Sequence, residues 1–324
     1  MNDGRAGGAV PRRDPERTIT IFREAVGAAF ADCCRRGCVG YLPTAGDVLV
    51  SGDLHGNRIN FMRLLKSADL AHHPERHLII QEGVHGGPTS EHGACLSYIV
   101  VEGIAALKAK YPDRVHVLVG NHDLSEHLGE PIFKDGVSLN QAFEQGLAEA
   151  YSHRRDEVRG WYNRFVESLL VACRTEHGVF ISHTIPDGRN VSSFDVGLFE
   201  HQRISDDIRR GSSLYNLLWG RDHRPETADR FAEQVGADLF LVSHTPCPSG
   251  YEVPNSRLTI IQSYDEAGCY ALLPLDRRLS QAQVIASVRR LATDRHPDDT
   301  VTIELDADLG LGPDRAAGEQ EGAF

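Results

Sequence analysis

Residues 47–57 read DVLVSGDLHGN: an apolar, β-rich run that stops in a Gly-Asp-Leu-His-Gly turn and hands over to the helix-like NRINFMRLLKSADL (57–70). In an extended segment alternate side chains share a face, so Asp53 and His55 project the same way. A carboxylate and an imidazole delivered together at the end of a buried strand suit a metal or acid–base site. The competing reading is a turn-and-cap pair ahead of the helix at Asn57, places that Asp and Asn favour.

The pattern repeats, which argues against the bland reading. HLIIQEG (77–83) ends in Glu82, and RVHVLVGNHDL (114–124) ends in Asn121, His122 and Asp123. GVFISHTIP (178–186) delivers His183 and ADLFLVSHTP (237–246) delivers His244. Helical stretches intervene, among them RTITIFREAVGAAFADCCRR (17–36) and CLSYIVVEGIAALKAKY (95–111). Strands alternating with helices indicate an α/β sandwich. Such a domain sets strand C-termini at one edge, where ligands bind. Five polar strand ends there make one composite site.

RLTIIQSYD (257–265) and GCYALLPLD (268–276) read as a closing pair of strands. Residues 1–16 are expected to be disordered and 17–288 to form the domain, with a charge-rich, mostly helical insertion at about 125–178. Residues 289–324 read as a partly flexible extension whose one patterned run is TVTIEL (300–305).

Composition narrows the function. The chain has 324 residues, 41% of them hydrophobic, enough for a sizeable core. Its formal charge of −12 gives no broad basic face, so neither a nucleic-acid partner nor a nuclease is expected. No apolar run approaches the roughly 20 residues that span a bilayer. The N-terminal MNDGRAGGAVPRRDPER lacks the apolar core of a signal peptide. No membrane partner and a cytoplasmic location are therefore expected. Seven scattered cysteines, an odd number, argue against a disulfide framework. Cys33, Cys34 and Cys38 in CCRRGC raise a metal reading, but paired C-x-x-C knuckles are missing and the segment reads as free helix cysteines.

Hard carboxylate oxygens with imidazoles suit Mn²⁺, Fe or Zn²⁺. Two metals held about 3.5–4 Å apart need a bridging carboxylate and separate ligands on either flank. GDLHGN (52–57), GNHD (120–123) and the two later strand-end histidines resemble the calcineurin-like metallophosphoesterase superfamily. SLYNLLWGRD (213–222) is similar to the LLW segment of its phosphoprotein phosphatase branch. The resemblance covers about residues 47–276. It implies a four-layer α/β/β/α sandwich with mixed β-sheets and two metal ions. Asp53 and His55 would bind the first metal, Asn121, His183 and His244 the second, and Glu82 would bridge. A bridging water or hydroxide would attack phosphorus, and His122, with Asp123 beside it, would protonate the leaving oxygen. Arg221, and less directly Arg58, are candidate phosphate contacts. The implied activity is hydrolysis of a phosphomonoester, on a phosphoserine or phosphothreonine protein or a small phosphorylated metabolite.

The second family motif, GDxVDRG, departs most. Here it reads Gln81-Glu82-Gly83-Val84-His85-Gly86-Gly87. Glu82 keeps the bridging charge with one more methylene. His85 stands where an Asp orients the general-acid histidine, and Gly86 where an Arg grips phosphate. Asp123 or Glu91 are candidate replacement orienters; His85 reads individually as a surface residue, like His92, His127 and His223, with a role as ligand or second proton donor the alternative. Two other readings stay open: hydrolysis of a dinucleoside polyphosphate or other phosphoanhydride, and a metal-binding regulatory module without turnover. Arg154, Arg155, Arg203, Arg209 and Arg210 are expected near a substrate groove and serve either kind of substrate.

Overall fold

The computed structural model describes residues 12–202, 204 and 209–291, so TVTIEL, Arg203 and most of both terminal segments lie outside the described residues. The strands are β1 (Arg35–Arg36), β2 (Val39–Tyr41), β3 (Asp47–Asp53), β4 (Arg76–Gln81), β5 (Val115–Leu118), β6 (Phe133–Lys134), β7 (Val137–Ser138), β8 (Ala172–Arg174), β9 (Val179–Ser182), β10 (Leu239–Val242), β11 (Tyr251–Glu252), β12 (Leu258–Ile261), β13 (Cys269–Pro274) and β14 (Val288–Arg290). The helices are α1 (Pro15–Ala31), α2 (Arg58–Ala68), α3 (Tyr98–Lys110), α4 (Asn121–Leu128), α5 (Leu139–Tyr151), α6 (Arg155–Glu167), α7 (Gly188–Val191), α8 (Ser213–Trp219), α9 (Pro225–Val235) and α10 (Gln281–Ala286).

Two mixed sheets result, ordered β14-β13-β3-β4-β5 and β1-β2-β8-β9-β10-β12-β11, beside the small β6–β7 hairpin. β3, β4 and β5 are parallel, as are β9, β10 and β12. Strand periodicity sorts the apolar residues between layers. Val48, Val50 and Ile79 meet Val179, Ile181, Leu239 and Leu241 between the sheets. Their alternates Leu49, Leu78 and Ile80 face outward to Phe61 of α2 and Ile104 of α3, and Phe180 and Phe240 face Phe231 of α9. This is the expected helix–sheet–sheet–helix order. No described helix is long and apolar enough to cross a membrane.

Three differences from the sequence reading have physical causes. Helix α1 begins at Pro15, because the Asp14 side chain accepts from the Glu16 N–H and Pro supplies a ready first-turn φ. Arg13, expected to be disordered, is instead buried and donates to Glu102 at 2.7 Å. The helix also ends early, at Ala31, so Cys33, Cys34 and Cys38 are not helix cysteines; none of the three forms a disulfide, with Cys33 exposed and the others buried. Finally, β12 and β13 do not pair: β12 lies beside β10 in one sheet and β13 runs antiparallel to β3 in the other. The segment 125–178 is mainly α5 and α6, with β6, β7 and β8 added, and α6 packs on α1.

At the end of α1 the carboxylate of Asp32 is buried and accepts from Lys108 Nζ (2.8 Å), His116 Nδ1 (3.0 Å) and the Cys34 N–H (2.9 Å). His116 thereby carries its proton on Nδ1, so its Nε2 accepts from His77 Nδ1 at 3.0 Å. Cys34, His77 and His116 stand close enough to share an ion. Their ring nitrogens are already bonded in series, however, and the Lys108 ammonium sits on the same carboxylate, which disfavours a further cation. Burial and the neighbouring His116 push His77 down to about 4. A base lowered in the folded state contributes stability above its unfolded value near 6.5 and loses it as pH falls towards 4, a swing of roughly 2–4 kcal/mol. Unfolding midpoints measured from pH 7 to 4 are expected to fall less steeply for His77→Leu than for wild type. Parallel curves would refute this.

Candidate active site

The C-terminal ends of β3, β4, β5, β9 and β10 meet at one edge, where hydrogen bonds stitch the two sheets together. The Asp53 N–H donates to Ser243 Oγ (2.8 Å), the Gly52 N–H to Ser263 Oγ (2.9 Å), and the His244 N–H to Asp53 Oδ2 (3.0 Å). Asp53 Oδ1 has no hydrogen-bond partner and faces His183 Nδ1, also without one, at 3.3 Å.

Glu82 follows β4 directly, in the left-handed region with φ 40°. Its Oε1 accepts the His122 N–H at 2.6 Å. Its Oε2 has no hydrogen-bond partner and stands 3.4 Å from His55 Nε2. Room for the longer Glu arm comes from Gly120, where a Cβ would collide with Oε1. His55 Nδ1 lies 3.3 Å from the Val84 carbonyl, which fixes the proton on Nδ1 and leaves Nε2 as a lone pair. His183 Nε2 contacts Asn121 Oδ1 (2.9 Å) and His244 Nδ1 (3.1 Å).

These residues form two triplets whose ligand atoms lie within 4.8 Å of one another: Asp53, Glu82, His183 and His55, Glu82, His122. Glu82 belongs to both. Four of the six residues expected to bind metal, Asp53, His55, Glu82 and His183, fall in these triplets, and the other two, Asn121 and His244, contact His183. Their grouping differs from the expectation, since Asp53 clusters with His183, and His122 joins His55.

The chemistry fits cations. Asp53 Oδ1, Glu82 Oε2 and His183 Nδ1 are buried without partners, and each such atom costs about 1–3 kcal/mol. Of the seven described non-glycine residues with positive φ, four are His55, Glu82, His85 and His244. Strain of about 1–3 kcal/mol apiece concentrated here marks a site whose geometry is imposed. Burial, then the charges of Asp53 and Asp123, raises Glu82 well above the usual carboxylate range. Burial also disfavours the Asp53 carboxylate, but His183 and His55 outweigh it and hold the group low. Burial and neighbouring imidazoles lower His55, His122 and His244 below the usual imidazole range; for His55 and His244 the neutral ring thus favoured is the form that binds metal.

The remaining candidates divide. Arg221 reaches the site, its Nε 3.2 Å from His244 Nε2. Arg58 opens α2, half-buried, and burial together with the charge of Arg13 lowers its pKa. Asp123 does not orient His122. It accepts the Gly120 N–H at 2.9 Å and caps α4, and burial raises it to about 7. Glu91 is exposed. What meets the His122 ring is His85, Nδ1 to Nδ1 at 3.0 Å, and His85 Nε2 meets Glu126 Oε2 at 2.8 Å. Sequence reasoning missed Glu126, although it lies one helical turn beyond His122. It also missed Ser243 and the Tyr264 ring, 5.5 Å from His55. Arg154 pairs with Glu16 and Glu157, Arg155 with Asp156, and Arg210 with Glu130.

A strand-edge cluster of this kind on an α/β/β/α sandwich defines a metallophosphoesterase. The sequence profile of the calcineurin-like phosphoesterases matches residues 46–248, and the chain belongs to that family. A probable serine/threonine-protein phosphatase of Encephalitozoon cuniculi is 24% identical over 238 residues, 67% of this chain and 47% of the relative. The chain thus spans about half the length of that curated relative. A protein serine/threonine phosphatase from Saccharomyces cerevisiae, described as similar to human phosphatase PP5, shares the fold with a TM-score of 0.66. That match covers 88% of this chain and 92% of that one at 17% identity.

Proposed function

We propose that the chain is a two-metal phosphomonoesterase acting on phosphoserine or phosphothreonine in proteins. The observation that carries this reading is the double membership of Glu82 in two ligand triplets, the arrangement a bridging carboxylate requires. The name of the Encephalitozoon relative supports the substrate class. Asp53, His55, Glu82, Asn121, His183 and His244 would hold the metals, for which Mn²⁺, Fe and Zn²⁺ are all chemically suitable. Bound there, two cations supply an activated attacking water and neutralise the phosphoryl oxygens.

The chain's own groups do the rest. His122, with Nδ1 engaged by His85, keeps Nε2 for the leaving oxygen; as imidazolium, after taking up a second proton from solvent, it gives the Nε2 proton to that oxygen. Arg221 at the rim offers its guanidinium to a phosphoryl oxygen.

The test is hydrolysis of a phosphoserine peptide and of p-nitrophenyl phosphate, with Mn²⁺ and with chelator. An alkoxide leaves only if protonated, whereas nitrophenolate leaves unaided. His122→Ala is therefore expected to slow the peptide about 10²–10⁴-fold and the aryl ester far less. Protein that binds two metals per chain and hydrolyses neither ester would refute the proposal.

A further inference from the structure

Behind His122 the molecule builds a chain of side chains that the family motif does not contain. His85 is fully buried in a left-handed backbone conformation (φ 61°), with its N–H given to Ser97 Oγ at 3.0 Å and its ring edge-on to Phe143. It has one pose. Its Nε2 is 2.8 Å from Glu126 Oε2, and Glu126 is itself surrounded by donors. Asn140 Nδ2 donates to Oε2 at 2.8 Å, and the Arg159 guanidinium pairs with Oε1 and with the Glu126 carbonyl. A carboxylate so placed accepts from every side, so the proton between it and His85 belongs to His85 Nε2. His85 Nδ1 is then a lone pair, and the 3.0 Å contact to His122 closes in only one sense: His122 Nδ1–H donates.

We infer that Glu126, acting through His85, is a positioning residue that sets the ring pose and proton placement of His122. The inference rests on the reading of His122 as proton donor. It explains how a site whose orienting Asp has become His85 keeps an oriented donor: the carboxylate has moved one imidazole back, from the strand-end loop to α4. It also gives α5 and α6 a task, since Asn140 and Arg159 fix Glu126 from those helices.

The decisive comparison uses metal-loaded wild type, His122→Ala, Glu126→Gln, His85→Asp and the double variant His85→Asp/Glu126→Gln, each on the phosphoserine peptide and p-nitrophenyl phosphate. Glu126→Gln is expected to lower peptide turnover about 10–100-fold, the usual cost of losing an outer partner, and to lower aryl turnover much less. In the double variant the carboxylate introduced by His85→Asp places an oxygen where Nδ1 stood, both atoms being bonded to Cγ, and peptide turnover is expected to recover about tenfold. A residue that merely held α4 to α6 would not be rescued from the His85 position. Should Glu126→Gln fail to fold, His85→Asp alone decides: peptide turnover is retained if a carboxylate behind His122 is what matters, and lost if the imidazole itself is required. In metal-free protein, ring ¹⁵N spectra are expected to show His85 as the Nε2–H tautomer, and an Nδ1–H tautomer would overturn the inference. So would equal slowing of both esters by Glu126→Gln while His122→Ala still slows the peptide selectively; that outcome leaves the proposed function standing. If His122→Ala does not discriminate between the esters, the reading of His122 fails and the inference with it.

Discussion

Glu82→Gln is expected to yield a folded protein that no longer keeps two metal ions per chain and whose metal-dependent turnover falls by about 10³-fold or more. The substitution preserves volume, and the amide oxygen still accepts the His122 N–H that Glu82 Oε1 accepts now. What disappears is the charge common to both ligand triplets. Charge stabilisation by such metals is worth several kcal/mol, and about 1.36 kcal/mol corresponds to a factor of ten. Because burial and the charges of Asp53 and Asp123 disfavour ionised Glu82, the neutral isostere does not weaken the metal-free fold. Elemental analysis of dialysed protein, thermal melting and steady-state rates together check this. Undiminished metal content and turnover would remove Glu82 from the centre of the site.

Asp32→Ala is expected to cost about 3–5 kcal/mol of stability, the range for stripping one partner from a buried ion pair. Lys108 would keep only the Pro112 carbonyl (2.6 Å), and His116 would lose its acceptor. Replacing the pair with apolar groups of similar volume, Asp32→Leu with Lys108→Met, is expected to recover much of that loss, because no buried charge is then stranded. Denaturant midpoints read both effects. A single-variant cost below about 1 kcal/mol, the level of an exposed pair, would show that Lys108 reaches water on its own.

Much of this molecule was legible in its sequence because strand period and strand-end chemistry are local. DVLVSGD, HLIIQ and VHVL alternate between layers with no help from the rest of the chain, and each ends at, or within three residues of, one that reaches the site: Asp53, Glu82 and Asn121. What stayed hidden depends on partners far away in sequence. Nothing local says that Cys269–Pro274 leaves its neighbour β12 for β3, since both strands are apolar and either pairing would bury them. In the sequence Asp123 is, with Glu91, a candidate orienter because it is adjacent to His122, yet adjacency at a helix start favours capping, and the Gly120 N–H bonds it. Glu126 sits in a charge-rich helical segment, where no local signal sets it apart. Its burial against Arg159 and His85 needs α6 and the strand-end loop in place.

The antiparallel seam between β3 and β13 has a consequence for biosynthesis. As the polypeptide emerges, β3 acquires β4 on one side almost at once, but its other edge stays bare until residues 269–274 have been made. Ser243 and His244, which bind the backbone and carboxylate of Asp53, also arrive late. An apolar strand with an open edge is a template for wrong pairing, and long-range sheet closure is slow. The interval of greatest exposure to aggregation therefore falls during translation, before the last strands are added.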